Sequence, residues 1–109
     1  MAKNINFEEA IARALKIRAQ YHKLEQEHHG TDWTIEEDAL AFLTDAGLVG
    51  RLTMAHEGRW PKGADSKAEL AHKLGECMWW LMVLADRMEL DSQTLLDDFL
   101  TKTEKLLEK

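Results

Sequence analysis

The segment covering residues 69–84 limits most strongly how this chain can fold. Its first half places four polar residues on one side of a helix, at 3.6 residues per turn: Glu69, His72, Lys73 and Glu76. From Cys77 to Ala85 the segment is apolar nearly all round, and such a helix is normally buried. Glu76 therefore lies where the chain enters the interior. A carboxylate there is costly unless a cation or hydrogen-bond donors meet it, so the segment predicts a partner for Glu76.

The size and charge of the chain narrow the class of protein. Its 109 residues suit a single domain spanning 1–109. Hydrophobic residues make up 45% and charged residues 31%, a balance typical of folded globular proteins. The formal net charge of -6 disfavours a nucleic-acid surface, which needs a basic stripe. Neither DNA nor RNA is expected as a partner.

The cysteine content and the first residues indicate a compartment. Cys77 is the only cysteine, so an internal disulfide is impossible and a reducing environment is natural. Residues 1–6 lack the apolar centre of a signal peptide. The apolar run Cys77 to Ala85 is far too short to span a bilayer. We expect a cytoplasmic protein without a membrane partner.

Apolar residues recur at helical spacing in four segments. Their predicted extents are 7–28, 34–56, 66–88 and a C-terminal helix capped by Asp91 or Ser92. The start signals of the first three are Asn6 as a cap and two capping boxes, Thr34–Glu37 and Ser66–Glu69. The connection over residues 57–65 carries the only proline, and long loops of this kind often cover a site.

Helices joined by short connections predict an all-α four-helix bundle with antiparallel neighbours. Apolar residues spread further around the second and third helices than one packing partner can cover, which predicts a dimer interface. The leucine-rich C-terminal helix is a second candidate surface for association.

Two acidic residues lie in apolar surroundings on separate helices. Asp45 is in the middle of the apolar second helix, as Glu76 is in the third. Gly47 and Gly50 each cost about 1 kcal/mol against alanine in a helix, a cost tolerated where a backbone or ligand approaches closely. Bundle metal sites are built from such facing side chains. Carboxylate ligands suit Mg²⁺ or Mn²⁺.

At these residues the chain resembles the MazG-like all-α nucleoside triphosphate pyrophosphohydrolases. The resemblance covers most of the chain from about Ala14 onward. The segments that carry it are Trp33–Asp38, Asp45–Gly47, Leu70–Trp79 and Leu84–Asp86. It implies a four-helix core in an intertwined homodimer, or a dimer of such dimers. The implied activity is Mg²⁺-dependent (or Mn²⁺-dependent) cleavage of a nucleoside triphosphate to monophosphate and pyrophosphate. Each of two helices holds the metal through an acid-x-x-acid pair.

When the two acid-x-x-acid pairs of the family are carried over residue by residue, the first pair falls on Asp45 and Leu48. The second pair falls on Lys73 and Glu76. Only Asp45 and Glu76 keep the chemistry of a metal ligand. Leu48 cannot ligate an ion, and the amine of Lys73 brings repulsive charge to the site. These two departures predict an activity that is weakened or lost, and no catalytic residue is assigned.

Two functions follow. In the first, Asp45 and Glu76 hold a metal that binds the phosphates of a nucleotide. The residues that then contact substrate are Arg51, Arg59 and Lys62, by charge, and Trp60, by stacking on the base. In the alternative, the chain is a non-catalytic helical dimer that binds a nucleotide, a small ligand or a protein. Lys73 then occupies the place of the ion, within ion-pairing reach of Asp45 or Glu76.

Several other polar or aromatic residues have simpler interpretations. His72 is four residues before Glu76, so it or Glu69 could replace a missing ligand, although a lone helix-surface histidine is usually solvated. The acids at 36–38 suit a helix cap and dipole. Trp79 and Trp80 are expected in core or dimer contacts, and Cys77 as a small buried hydrophobe.

Overall fold

The computed structural model describes residues 4–61 and 66–108, and these residues form α-helices with no strand. The helices are α1 (Phe7–His29), α2 (Ile35–His56), α3 (Ser66–Arg87) and α4 (Ser92–Leu107). The predicted all-α class is confirmed. Among these helices, none is both long enough and apolar enough to cross a membrane.

The first two helices begin at the predicted caps. The side chain of Asn6 accepts a hydrogen bond from the backbone N–H of Glu9 at 2.7 Å. Thr34 and Glu37 form a reciprocal capping box, with side-chain to backbone distances of 3.1 and 2.8 Å. Gly30 ends α1 with φ 76, a left-handed conformation that glycine adopts without strain.

The ends of the last two helices are close to the predicted positions. α3 begins at Ser66, and the residue before it lies outside the described residues. α3 ends at Arg87, one residue before the predicted end. Of the two candidate caps of α4, Asp91 is used, and it accepts from the backbone N–H of Thr94 at 2.9 Å. This hydrogen bond holds the pKa of Asp91 below its usual value.

The chain divides into two compact units. The first combines the chain up to Asp32 with the chain from Met82 onward, and the second is Trp33–Leu81. In the first unit Arg18 is buried and pairs with Glu25 through two contacts of 2.8 and 3.4 Å. The second unit contains α2 and most of α3, and it holds all the predicted metal ligands.

Little of the apolar surface of the described chain is covered. The buried hydrophobic residues are Ala14, Ala55, Trp80, Val83, Leu84 and Ala85. Each of the four helices leaves large apolar side chains exposed, for example Leu24, Leu43, Met78 and Leu107. A core this small gives a single chain limited hydrophobic stabilisation, since small chains already bury a low fraction of their surface.

Candidate functional site

A cluster of one lysine and two acids lies between α2 and α3 in the second unit. The amine Nζ of Lys73 is 3.0 Å from Oδ1 of Asp45 and 2.9 Å from Oε1 of Glu76. Two acids from separate helices therefore converge on one ammonium group. The prediction that Lys73 lies within ion-pairing reach of either acid is confirmed for both.

The second carboxylate oxygen of Asp45 is also engaged. The indole N–H of Trp80 donates to Oδ2 of Asp45 at 2.9 Å, and the Trp80 side chain is buried. The ring of Trp79 lies next to that of Trp80, with centroids 4.6 Å apart. From the sequence, Trp80 was expected only in core or dimer contacts. Its position seven residues after Lys73, on the same helix face, is the signal for a polar role.

The cluster is only partly open to solvent. The exposed fractions of the side chains are 14% for Asp45, 25% for Lys73 and 29% for Glu76. Solvent and salt screen such a pair less than a surface pair. Hydrogen bonds to Glu76 and then Asp45 raise the pKa of Lys73 from 10.5 to about 12. Lys73 therefore carries its positive charge throughout the neutral range.

This donor set does not fit Mg²⁺ or Mn²⁺. Both oxygens of Asp45 and one of Glu76 already accept hydrogen bonds, and a cation lies between the two acids. Mg²⁺ needs oxygen ligands in near-octahedral geometry, and Leu48 offers none. Within 4–61 and 66–108, no group of three or more His, Cys, Asp or Glu residues is arranged to hold a metal ion.

The two candidate replacement ligands do not complete a site. Nε2 of His72 lies 3.9 Å from Oε1 of Glu76, and the His72 side chain is 79% exposed. Glu69 is exposed one turn earlier on α3. Both residues line a groove beside the cluster.

That groove has a volume of about 610 Å³ and runs between α2 and α3. Its lining residues are Leu48, Arg51, Leu52, Ala68, Glu69, His72 and Lys73. The guanidinium carbon of Arg51 lies 4.5 Å from the ring centroid of Trp60, a cation–π contact. Arg59 is exposed and is not a lining residue, and Lys62 lies outside the described residues.

No family model, curated protein or solved structure matches the chain. The MazG-like resemblance is therefore carried by the quoted residues alone.

In the sequence, Asp38 looks like its neighbours Glu36 and Glu37, an acid that suits a helix cap and dipole. Glu37 makes the capping box as expected, but Asp38 is completely buried and is not without an interaction partner. Asp38 therefore belongs to the interior of the fold, unlike the exposed capping residue Glu37. Acidic residues in a first turn look alike in a sequence, so only tertiary structure reveals this difference.

Cys77 is expected to react slowly with thiol reagents at neutral pH. Burial raises the pKa of its thiol, and the charges of Asp45 and Glu76 raise it further. A chromogenic disulfide reagent should label the native protein more slowly than it labels glutathione, and urea should abolish the difference. A native rate equal to that of glutathione would contradict this placement of Cys77.

Alkaline pH is expected to weaken the fold through Lys73. Its pKa is higher in the folded chain than the ordinary 10.5, so its contribution is complete below 10.5 and is lost as the pH rises through about 12. The loss amounts to about 2 kcal/mol at most, since one pKa unit corresponds to about 1.4 kcal/mol. Urea unfolding across this range measures it. The Lys73→Met variant should lack this component, and an identical pH profile for variant and wild type would refute the assignment.

Proposed function

We propose that this chain is a divergent MazG-like helical protein that binds a nucleotide without metal-dependent hydrolysis. The observation that supports this most strongly is the amine of Lys73, within 3.0 Å of both Asp45 and Glu76. A fixed ammonium supplies the positive charge that a divalent ion gives the resembling enzymes. It neutralises the two acids but cannot activate a water molecule as a metal does.

The groove beside the cluster suits the two parts of a nucleotide. Leu48, Leu52 and Ala68 give it an apolar lining for a base or sugar, and Arg51 adds a guanidinium able to hold a phosphate. Trp60 lies against Arg51 and is 43% exposed, so part of its ring remains accessible for stacking. These contacts need no metal ion.

We propose further that the chain works as a homodimer. Its helices expose large apolar side chains while few hydrophobic residues are buried. Obligate homodimers resemble a domain core divided between two chains, and their folding is coupled to association. Burial of these side chains against a second copy supplies the missing core.

The test of nucleotide binding uses tryptophan fluorescence and a panel of ribonucleoside and deoxyribonucleoside triphosphates. We expect saturable binding that is unchanged by EDTA, with no pyrophosphate released when Mg²⁺ or Mn²⁺ is added. Arg51→Gln should weaken binding about tenfold, since hydrogen bonds to charged groups contribute about 1.5–3 kcal/mol. Arg59→Gln is the matched control, because Arg59 does not line the groove.

Two results would decide against this proposal. Metal-dependent release of pyrophosphate would favour the other candidate function, a metal-dependent nucleotide pyrophosphohydrolase. The convergence of Asp45 and Glu76 is the observation that supports that alternative. Equal affinity for Arg51→Gln, Arg59→Gln and the wild type would exclude the groove as the binding site.

A further inference from the structure

The groove between α2 and α3 carries charged side chains on both of its walls. Arg51 extends from α2, and Glu69 and Lys73 extend from α3. Arg51 and Glu69 are exposed residues, whereas the Lys73 side chain is 25% exposed. An anionic ligand therefore meets a surface of mixed charge, and the balance of that charge limits how anionic the ligand can be.

Arg51 is the permanent cation of the groove that remains available to a ligand. Within residues 4–61 and 66–108, its guanidinium lies against the ring of Trp60 and forms no ion pair with an acid. The amine of Lys73 already lies within 3.0 Å of carboxylate oxygens of Asp45 and Glu76. The charge of Lys73 is therefore matched inside the chain, and a ligand has one guanidinium to bind.

Glu69 is an acid of the groove without a counter-cation. Among the residues that the structure describes, none forms an ion pair with its carboxylate. With His72 neutral, the groove and the adjoining cluster hold two permanent cations against three acids, because Asp45 and Glu76 add to Glu69. The site is thus net negative by one charge, in a chain whose formal net charge is -6.

One phosphate group matches the single available guanidinium. A phosphate monoester carries a charge of about −1.5 to −2 at neutral pH and presents three acceptor oxygens. The planar fork of Arg51 can bind two of these oxygens at once, the geometry in which arginine recognises phosphate. Leu48 and Leu52 then provide apolar surface for the base or the sugar.

Additional phosphate groups have no such match. Each adds negative charge, and the described residues of the groove offer no second unpaired permanent cation. The carboxylate of Glu69 repels this charge, since repulsion is largely screened only beyond a Debye length of about 8 Å. A divalent ion commonly neutralises a chain of phosphates, but here Lys73 lies between Asp45 and Glu76.

We infer that the ligand of this groove is a nucleoside monophosphate, and that the charge of the site disfavours nucleoside diphosphates and triphosphates. The inference rests on the nucleotide binding proposed above and specifies the number of phosphate groups. Arg51 holds the phosphate, and Glu69 opposes the binding of any further phosphate group.

Tryptophan fluorescence titrations with adenosine and its mono-, di- and triphosphate test this preference. EDTA is present at neutral pH and constant ionic strength, so that no metal ion masks the phosphate charge. We expect the monophosphate to bind most tightly and the triphosphate to bind about fivefold more weakly. Adenosine should also bind more weakly, because it offers no anion to Arg51. The same series with guanine, cytosine and uracil shows whether the preference holds for every base.

Two substitutions locate the origin of the preference. Glu69→Gln removes the unpaired acid and keeps the size of the side chain, so the preference for monophosphate over triphosphate should shrink about twofold. Glu36→Gln is the matched control, because Glu36 is an exposed acid on α2 that does not line the groove. Glu36 precedes Leu48 by about 18 Å of helix, which exceeds the Debye length of about 8 Å. The control should show the same preference as the wild type.

The outcomes separate the number of phosphate groups from nucleotide binding itself. A triphosphate that binds at least as tightly as the monophosphate would overturn the inference and leave the proposed nucleotide binding intact. An unchanged preference in Glu69→Gln would overturn its electrostatic basis. The absence of saturable binding throughout the series would overturn the proposed function and the inference together. Tightest binding of the monophosphate, with a preference reduced in Glu69→Gln and retained in Glu36→Gln, supports the inference.

Discussion

Replacing Lys73 by methionine is expected to lower the free energy of unfolding by about 2–3 kcal/mol. Methionine keeps the length of the side chain but leaves Asp45 and Glu76 facing each other without a cation. Removing one partner of a fully buried pair costs about 3–5 kcal/mol, and the partial exposure of this cluster reduces that value. Urea unfolding at neutral pH measures the change.

Lys67→Met is the control for this experiment. Lys67 is an exposed lysine on the same helix, so its replacement removes the same charge from a solvated position. A change within about 0.5 kcal/mol is expected there. Equal effects of the two substitutions would show that the ion pairs of Lys73 contribute nothing specific.

The double substitution Leu48→Glu and Lys73→Glu is expected to create a site for Mn²⁺. It removes the ammonium group and places carboxylates at both positions where the chain departs from the acid-x-x-acid pairs. Four carboxylates from two facing helices are a ligand set that Mn²⁺ accepts. Calorimetry should show binding at least tenfold tighter than to the wild type, and Mn²⁺ should raise the melting temperature of the variant.

The matched control combines Lys73→Glu with Leu52→Glu. Leu52 lines the same groove one helical turn beyond Leu48, so the added charge is equal and only its position differs. Weaker binding by this control is expected. If both double variants bind Mn²⁺ no better than the wild type, the alignment of the two pairs is wrong.

The helices could be predicted from the sequence because their signals are local. Asn6, Thr34 and Asp91 each accept a hydrogen bond from a backbone N–H three residues later, and such caps need only neighbouring residues. The meeting of Lys73 with Glu76 was also predictable, since both lie on one face of a single helix. The contact of Lys73 with Asp45 required the additional assumption that α2 and α3 are adjacent.

Tertiary contacts account for what the sequence did not reveal. The hydrogen bond from Trp80 to Asp45 joins two helices, and tryptophan in an apolar run is normally assigned to packing. Arg18 is buried, although arginine at a helical position usually indicates a solvated face. Arg18 pairs with Glu25, which is seven residues and two full turns later on α1. Oppositely charged residues at such spacings usually form only surface contacts, so the sequence did not indicate a buried pair.

Titration of the wild-type protein with Mn²⁺ tests most directly whether Lys73 replaces a metal ion. Calorimetry compares the wild type with Asp45→Asn, in which the site lacks one of its acids. Both titrations use equal protein concentrations at neutral pH. We expect that neither protein binds Mn²⁺ saturably at this cluster, so that the two titrations coincide. Saturable binding by the wild type that is lost in Asp45→Asn would contradict it.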